Sequence, residues 1–226
     1  MNRKKIVEYS LFFLAIPLTI VLGVVLFKDR QYSFISMSIV ILSCIPFFMS
    51  FERKENTTKE LVLLAALVAV SVTGRFVFSP IPHFKPVTAI VIIAGIYFGY
   101  EFGFLCGALS AVISNFIFGQ GPWTPFQMFA WGMVGLFAGL LSKPLIKNRV
   151  LLLIYGALAG CIYSCLMDIW TTLQMDGIFN LNRYLAAIIT AIPTMIIYVI
   201  SNVIFLFFLA KPIGDMLQRI KIKYGL

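Results

Sequence analysis

The chain has 226 residues, 61% hydrophobic and 12% charged, with a formal net charge of +9. That apolar share exceeds what a soluble domain of this length can bury, and long unbroken apolar runs exclude the alternating ten-residue strands of a membrane β-barrel. What remains is an all-α integral membrane fold, in which about 20 apolar residues cross a hydrocarbon core about 30 Å thick.

Arg3, Lys4 and Lys5 lead into an apolar run ending at Phe27, the outline of a secretory signal. Lys28-Asp29-Arg30 stands where a small-residue cleavage site belongs, so the run is expected to be a retained helix, Ile6 to Phe27, followed by Ser33 to Phe51. Glu52 to Glu60 is the most polar run of the chain. It divides residues 1–56, a two-helix N-terminal hairpin, from residues 57–226, a six-helix unit. The six helices are expected at about Glu60 to Phe78, Val87 to Gly99, Phe102 to Phe118, Phe126 to Leu141, Val150 to Gln174, and Tyr184 to Ala210. Val87 to Gly99 is too short to cross a bilayer alone and is expected to tilt, to pack against protein, or to be extended by irregular backbone.

Basic residues divide unevenly between alternate loops. Arg3, Lys4, Lys5, Arg53, Lys54, Lys59, Lys143, Lys147, Arg149, Lys211, Arg219, Lys221 and Lys223 make thirteen on one side, against five (Lys28, Arg30, Arg75, Lys85, Arg183) on the other. The positive-inside rule then predicts both termini in the cytoplasm and accounts for the charge without a nucleic-acid partner. Cys44, Cys106, Cys161 and Cys165 all lie in apolar segments, where thiols act as small buried hydrophobes; neither a disulfide framework nor a metal site is expected.

In this orientation three loops of the six-helix unit face outward. Arg75 to Pro86 contains three prolines, each of which removes an amide donor and fixes its own backbone angle. Phe118 to Gly132 interleaves Pro122, Trp123, Pro125 and Trp131 with Gln120 and Gln127. Asp168 to Arg183 adds Trp170 and Asn180. Tryptophans at a membrane boundary also form interfacial belts. Their company here is neutral amides, which are costly in lipid but suited to orienting a ligand in a mainly apolar cavity. Arg75 fits an arginine snorkelling to the headgroups better than a ligand contact, and His83 an ordinary loop imidazole better than a metal ligand.

Gly95, Gly99, Gly103 and Gly107 recur at every fourth position, Gly132, Gly135 and Gly139 follow, and Ala65 and Ala69 form a second small stripe. In lipid such stripes permit close helix approach. The sequence holds no phosphate-binding Gly-x-x-x-x-Gly-Lys-Ser/Thr loop, no Gly-x-Ser-x-Gly elbow and no His-Glu-x-x-His. A binding protein for a solute, not an enzyme, is the reading left.

Residues from about Glu60 to Leu226 resemble the substrate-binding S components of energy-coupling factor (ECF) transporters. The resemblance rests on six helices with both ends inside, on Ala65-x-x-x-Ala69, and on the block running from Lys85-Pro-Val-Thr-Ala through Ser114-Asn-Phe to Gly132. It implies a subunit that captures a vitamin outside the cell and reorients in the bilayer, partnered by a transmembrane coupling subunit and two cytoplasmic ATPases. Ala65 and Ala69 are the positions carried over for the contact with the coupling subunit. The long block is most similar to S components of the cobalamin type, which makes cobalamin the favoured cargo, with no cofactor of the protein's own. Riboflavin, a queuosine precursor or pantothenate are the alternatives, and a stand-alone secondary transporter is the alternative class. The expected ligand contacts are Gln120, Trp123, Gln127 and Trp131, with Phe78, His83, Asn115, Tyr163, Trp170 and Asn180 behind them.

Overall fold

A computed structural model describes residues 58–177 and 179–225, together with 38, 41, 42, 44 and 45. The expected helix Ile6 to Phe27, and most of Ser33 to Phe51, lie outside the described residues. Within the second segment Cys44 is buried in a cluster with Phe104, Ala108 and Leu136.

Seven helices follow one another among the described residues: α1 Thr58–Val77, α2 Val87–Phe98, α3 Tyr100–Phe118, α4 Thr124–Leu140, α5 Ser142–Lys147, α6 Arg149–Asp176 and α7 Leu181–Tyr224. Four of them, α1, α3, α6 and α7, are long and apolar enough to cross a membrane.

In α1, Leu63, Leu64, Leu67, Val68 and Ser71 are buried, the spacing of a single helical face. The opposite face, with Val62, Ala65, Ala66, Ala69 and Val70, is exposed. The chain leaves the helix just before Pro80 and Pro82, which cannot supply the amide donors of a further turn.

The short α2 runs through the middle of the bundle and touches every other helix of the set. Val87 through Ile96 are all buried. Of the three fates expected for this segment, packing against protein is the one realised, with irregular backbone before it. Because Val87 to Ile96 are covered by protein, the length of α2 need not match the bilayer.

A single residue separates α2 from α3. Gly99 sits at φ 96°, ψ 174°, a conformation that side chains with a Cβ avoid, and it lets the chain reverse without a loop. Further along the α3–α4 contact, a Cβ on Gly103 would collide with the Gly135 carbonyl and one on Gly135 with the Gly103 carbonyl. The two backbones touch there, as the small-residue spacing predicts.

Two features depart from expectation. The stretch after α4 forms the short helix α5, where only a loop was expected. More conspicuously, α7 does not stop near Ala210 but continues through Pro212 to Tyr224, a rod of 44 residues and about 66 Å at 1.5 Å per residue. Proline costs a helix one hydrogen bond, but packing beyond it holds the helix on course. Leu217 is fully buried, Gly214 abuts the Tyr97 side chain, and Lys221 Nζ donates to the Tyr97 carbonyl at 3.2 Å. At the same end of the bundle Lys59 Nζ donates to the Tyr224 carbonyl at 3.1 Å.

Helices α2 and α7 run side by side in the same direction, joined at Lys85–Ser201 near the start of α2 and at Tyr97–Gly214 near its end. Since α2 begins only at Val87, the space above its first turn is left to side chains and to the proline-rich segment 78–86.

Candidate functional site

That space is a cavity of about 440 Å³. Segment 78–86 forms its rim, α2 its floor, and α1, α3, α4, α6 and α7 its walls.

The rim is pinned, not free. Ser201 Oγ, on the wholly buried face of α7, accepts from the Lys85 amide at 2.9 Å and donates to the Lys85 carbonyl at 3.0 Å. Lys85 Nζ donates to the carbonyls of Phe78 and Ile81 within its own loop. Phe78 packs edge-on against Phe205, ring centroids 4.9 Å apart, so the loop is anchored by an aromatic as well. His83 occupies the left-handed region at φ 61°, uncommon for a residue with a Cβ, and its Nδ1 lies 3.2 Å from the Tyr198 hydroxyl.

The wall is a run of aromatic rings drawn from separate helices. Trp131 of α4 stacks on Tyr163 of α6 with centroids 5.1 Å apart and planes 15° from parallel. Tyr163 meets Tyr198 of α7 edge-on at 5.2 Å, and Tyr198 meets His83 edge-on at 5.4 Å. Trp131 can stand at this position because Gly107 of α3 lets its backbone come close; a Cβ there would collide with the Trp131 carbonyl.

Behind the rings lies a polar chain. Arg75 Nη1 donates to Asn115 Oδ1 at 2.9 Å and to Ser114 Oγ. Asn115 Nδ2 then donates to Gln127 Oε1 at 2.8 Å and to Thr124 Oγ1 at 2.9 Å. Gln127 Nε2 donates onward to the Tyr163 hydroxyl at 3.2 Å. The direction is fixed by Arg75: a guanidinium only donates, so Asn115 must turn its carbonyl toward it and its NH₂ toward Gln127. The result is a Gln127 amide held in one orientation at the cavity wall before any ligand arrives.

The guanidinium itself sits 4.7 Å from the Phe118 ring centroid and 5.2 Å from that of Trp131. This is a cation–π setting at the cavity edge rather than a side chain reaching for headgroups. Burial, with the Arg75 charge as a second contribution, holds the Lys85 ammonium below the usual lysine pKa. Among the described residues no Asp or Glu lines the cavity.

Of the residues expected at a site, His83, Gln127, Trp131 and Tyr163 come together here. Asn115 stands one layer behind, orienting Gln127. The others do not line this cavity, each for a local reason. Gln120 Nε2 donates to the Val112 carbonyl at 2.8 Å and its Oε1 accepts from Thr124, tying the loop down from outside. Trp123 is 38% exposed, its ring lying over Gly121. Trp170 is buried instead in a separate cluster with Phe126 and Leu173. Asn180 caps α7, its Oδ1 accepting from the Arg183 amide at 3.1 Å. Phe78 anchors the rim.

Tyr198, Ser201 and Asn202, which complete the α7 side, were not anticipated from sequence. Three hydrogen-bonding residues within five positions of the otherwise apolar stretch 195–210 were the available signal. Asn202 Nδ2 donates to the Gly156 carbonyl at 3.0 Å, closing the α6–α7 seam at the cavity base.

A family model described as "ECF-type riboflavin transporter, S component" matches residues 55–214. No curated protein and no solved structure matches the chain.

Proposed function

The chain belongs to the family of ECF-type riboflavin transporter S components, and on that premise we propose that it captures a vitamin in the cavity under segment 78–86. The family is one of transporter subunits, not enzymes. In this reading the rim faces outward, both termini are cytoplasmic, and delivery runs through a transmembrane coupling subunit with two cytoplasmic ATPases.

The observation that carries the reading is the Trp131–Tyr163 stack with the pre-oriented Gln127 amide beside it. Flat rings offer a face to a planar heterocycle, and a fixed amide offers it a donor and an acceptor at little ordering cost. A volume of about 440 Å³ falls in the range of about 300–1,000 Å³ typical of small-molecule pockets. It suits a ligand of flavin size. The second reading is cobalamin, supported by the resemblance of the block from Lys85 to Gly132; so large a ligand requires segment 78–86 to move outward and widen the cavity.

The test is the visible absorption spectrum of the protein purified from cells supplied with both vitamins. Flavin bands that persist through gel filtration in the wild type and vanish in Trp131→Ala support the first reading. Corrinoid bands support the second, and a colourless protein with no measurable affinity for either vitamin sinks both.

The contact with the coupling subunit is proposed at the exposed face of α1. There Ala65 and Ala69 border a shallow apolar groove of about 470 Å³ shared with Leu109 and Ile113 of α3. Replacing both alanines by leucine is expected to abolish vitamin uptake by cells while changing affinity in the purified subunit less than about twofold, since neither touches the cavity. A large loss of affinity in that double variant counts against the interface.

A further inference from the structure

Among the described residues, the charged side chains that line the cavity, Arg75 and Lys85, are both cationic, and this bears on what it holds. Both hydrogen bonds of the Arg75 side chain leave from Nη1 and end on neutral oxygens, those of Ser114 and Asn115. Its remaining donors, on Nη2 and Nε, have no acceptor among the described residues. The Lys85 ammonium likewise bonds only to neutral carbonyls. Of the described acids, Asp176 pairs with Arg183 at 3.0 Å, and Glu60, Glu101, Asp168 and Asp215 do not line the cavity. A half-buried guanidinium at the end of a membrane-spanning helix is costly without a counter-charge.

The floor adds to the same field. Helix α2 starts at the cavity, where Val87 and Thr88 line it, and its N-cap is Pro86, which provides no side-chain acceptor for the first amides. The positive end of the α2 dipole therefore points where Arg75 and Lys85 also converge.

Resting on the reading of the cavity as the vitamin site, we propose that its ligand carries an anionic group, a carboxylate or a phosphate, held by Arg75 and Lys85 while its ring lies against Trp131 and Tyr163. The planar fork of an arginine offers two parallel donors to either anion, and Arg75 has donors to spare on the side not used by Asn115. The neutral bonds to Ser114 and Asn115 then serve to aim the guanidinium.

Matched pairs of probes differing in this one charge test the idea: riboflavin against flavin mononucleotide, nicotinamide against nicotinate, pantothenol against pantothenate, with cobalamin added. Each is titrated against the full chain in lipid nanodiscs, following tryptophan fluorescence. In at least one pair the anionic member is expected to bind about tenfold or more tightly than its neutral partner, the scale of one charge-assisted hydrogen bond. In Arg75→Gln that preference is expected to fall to about threefold or less. Lys85→Gln, whose side-chain bonds stay within its own loop, is expected to reduce it as well and serves if Arg75→Gln does not fold.

A preference for phosphate or for carboxylate identifies the group. Binding of nicotinate or pantothenate with neither flavin bound keeps the charge assignment and discards the flavin. Riboflavin binding as tightly as flavin mononucleotide keeps the flavin and discards the charge. The inference is overturned also if a preference survives both substitutions, or if no probe binds.

Discussion

Helices α3 and α4 meet in two different ways along one contact. At Gly103 and Gly135 their backbones touch and no methyl group fits between them. Some turns away, at Asn115 and Gln127, they are bridged by amide side chains 2.8 Å apart, and the space beside the bridge is the cavity. The difference shows how one helix pair makes both a rigid seam and a hollow. Glycines hold the helices together at one level, and the polar bridge fixes their separation at the other, so the hollow neither collapses nor opens to lipid.

The largest expected effect breaks the seam. In Gly135→Val the added atoms meet the Gly103 carbonyl and the Val91 side chain, and opposing backbone cannot rotate aside as a side-chain tip can. Overpacking of this kind costs about 3 kcal/mol. It is expected to appear as a clear fall in the unfolding temperature of the detergent-purified protein and as lost ligand binding. A variant of wild-type stability would show that the helices part easily and that the seam is not what shapes the cavity.

An intermediate effect is expected from the bridge. Asn115→Leu keeps the heavy-atom count and branching of a side chain only 1% exposed but leaves Arg75, Thr124 and Gln127 each short of a partner. Each unsatisfied buried group costs about 1–3 kcal/mol. Part of that is expected as lower stability and part as a drop in ligand affinity of about tenfold or more, because Gln127 loses its fixed orientation. Gln127→Leu, read beside it by fluorescence titration, separates orientation from contact: equal losses from the two substitutions place the effect in Gln127.

The seam was far more legible in the sequence than the cavity. Gly95, Gly103, Gly107 and Gly135 announce close approach by spacing alone, because in lipid a glycine stripe has little other use. The all-helical membrane character also follows from apolar run lengths, which left the short segment open between tilting, packing against protein and irregular extension. The expected end of the last helix near Ala210 fell short because packing around Leu217 and Tyr97 carries α7 on past Pro212. The cavity was half legible. Trp131 and Gln127 lie in a conspicuous polar–aromatic block, but that block also holds Gln120 and Trp123, which local geometry turns to the outside. Composition cannot tell these apart, since the distinction depends on which way an irregular loop folds back onto a helix. Arg75 was read as snorkelling because its partners Ser114 and Asn115 are 39 and 40 residues away and neutral, leaving no charge pairing in the sequence to find.

The smallest expected effect is also the sharpest test of where the site lies. Trp123 and Trp131 are eight residues apart and bracket the first turns of α4, yet one is 38% exposed on the loop and the other is 5% exposed in the aromatic wall. If the cavity binds the ligand, Trp123→Ala removes a surface ring and shifts ligand affinity by no more than about 0.5 kcal/mol, the range of an ordinary surface substitution. Trp131→Ala removes the stack on Tyr163 and costs about 2 kcal/mol or more of binding, as expected for an aromatic anchor in a buried pocket. The two variants, titrated with the same vitamin, should therefore differ by more than about tenfold in affinity. The reverse order would move the binding surface out of the cavity onto the 119–123 loop, and the polar chain from Arg75 to Tyr163 would then be a device for holding helices together.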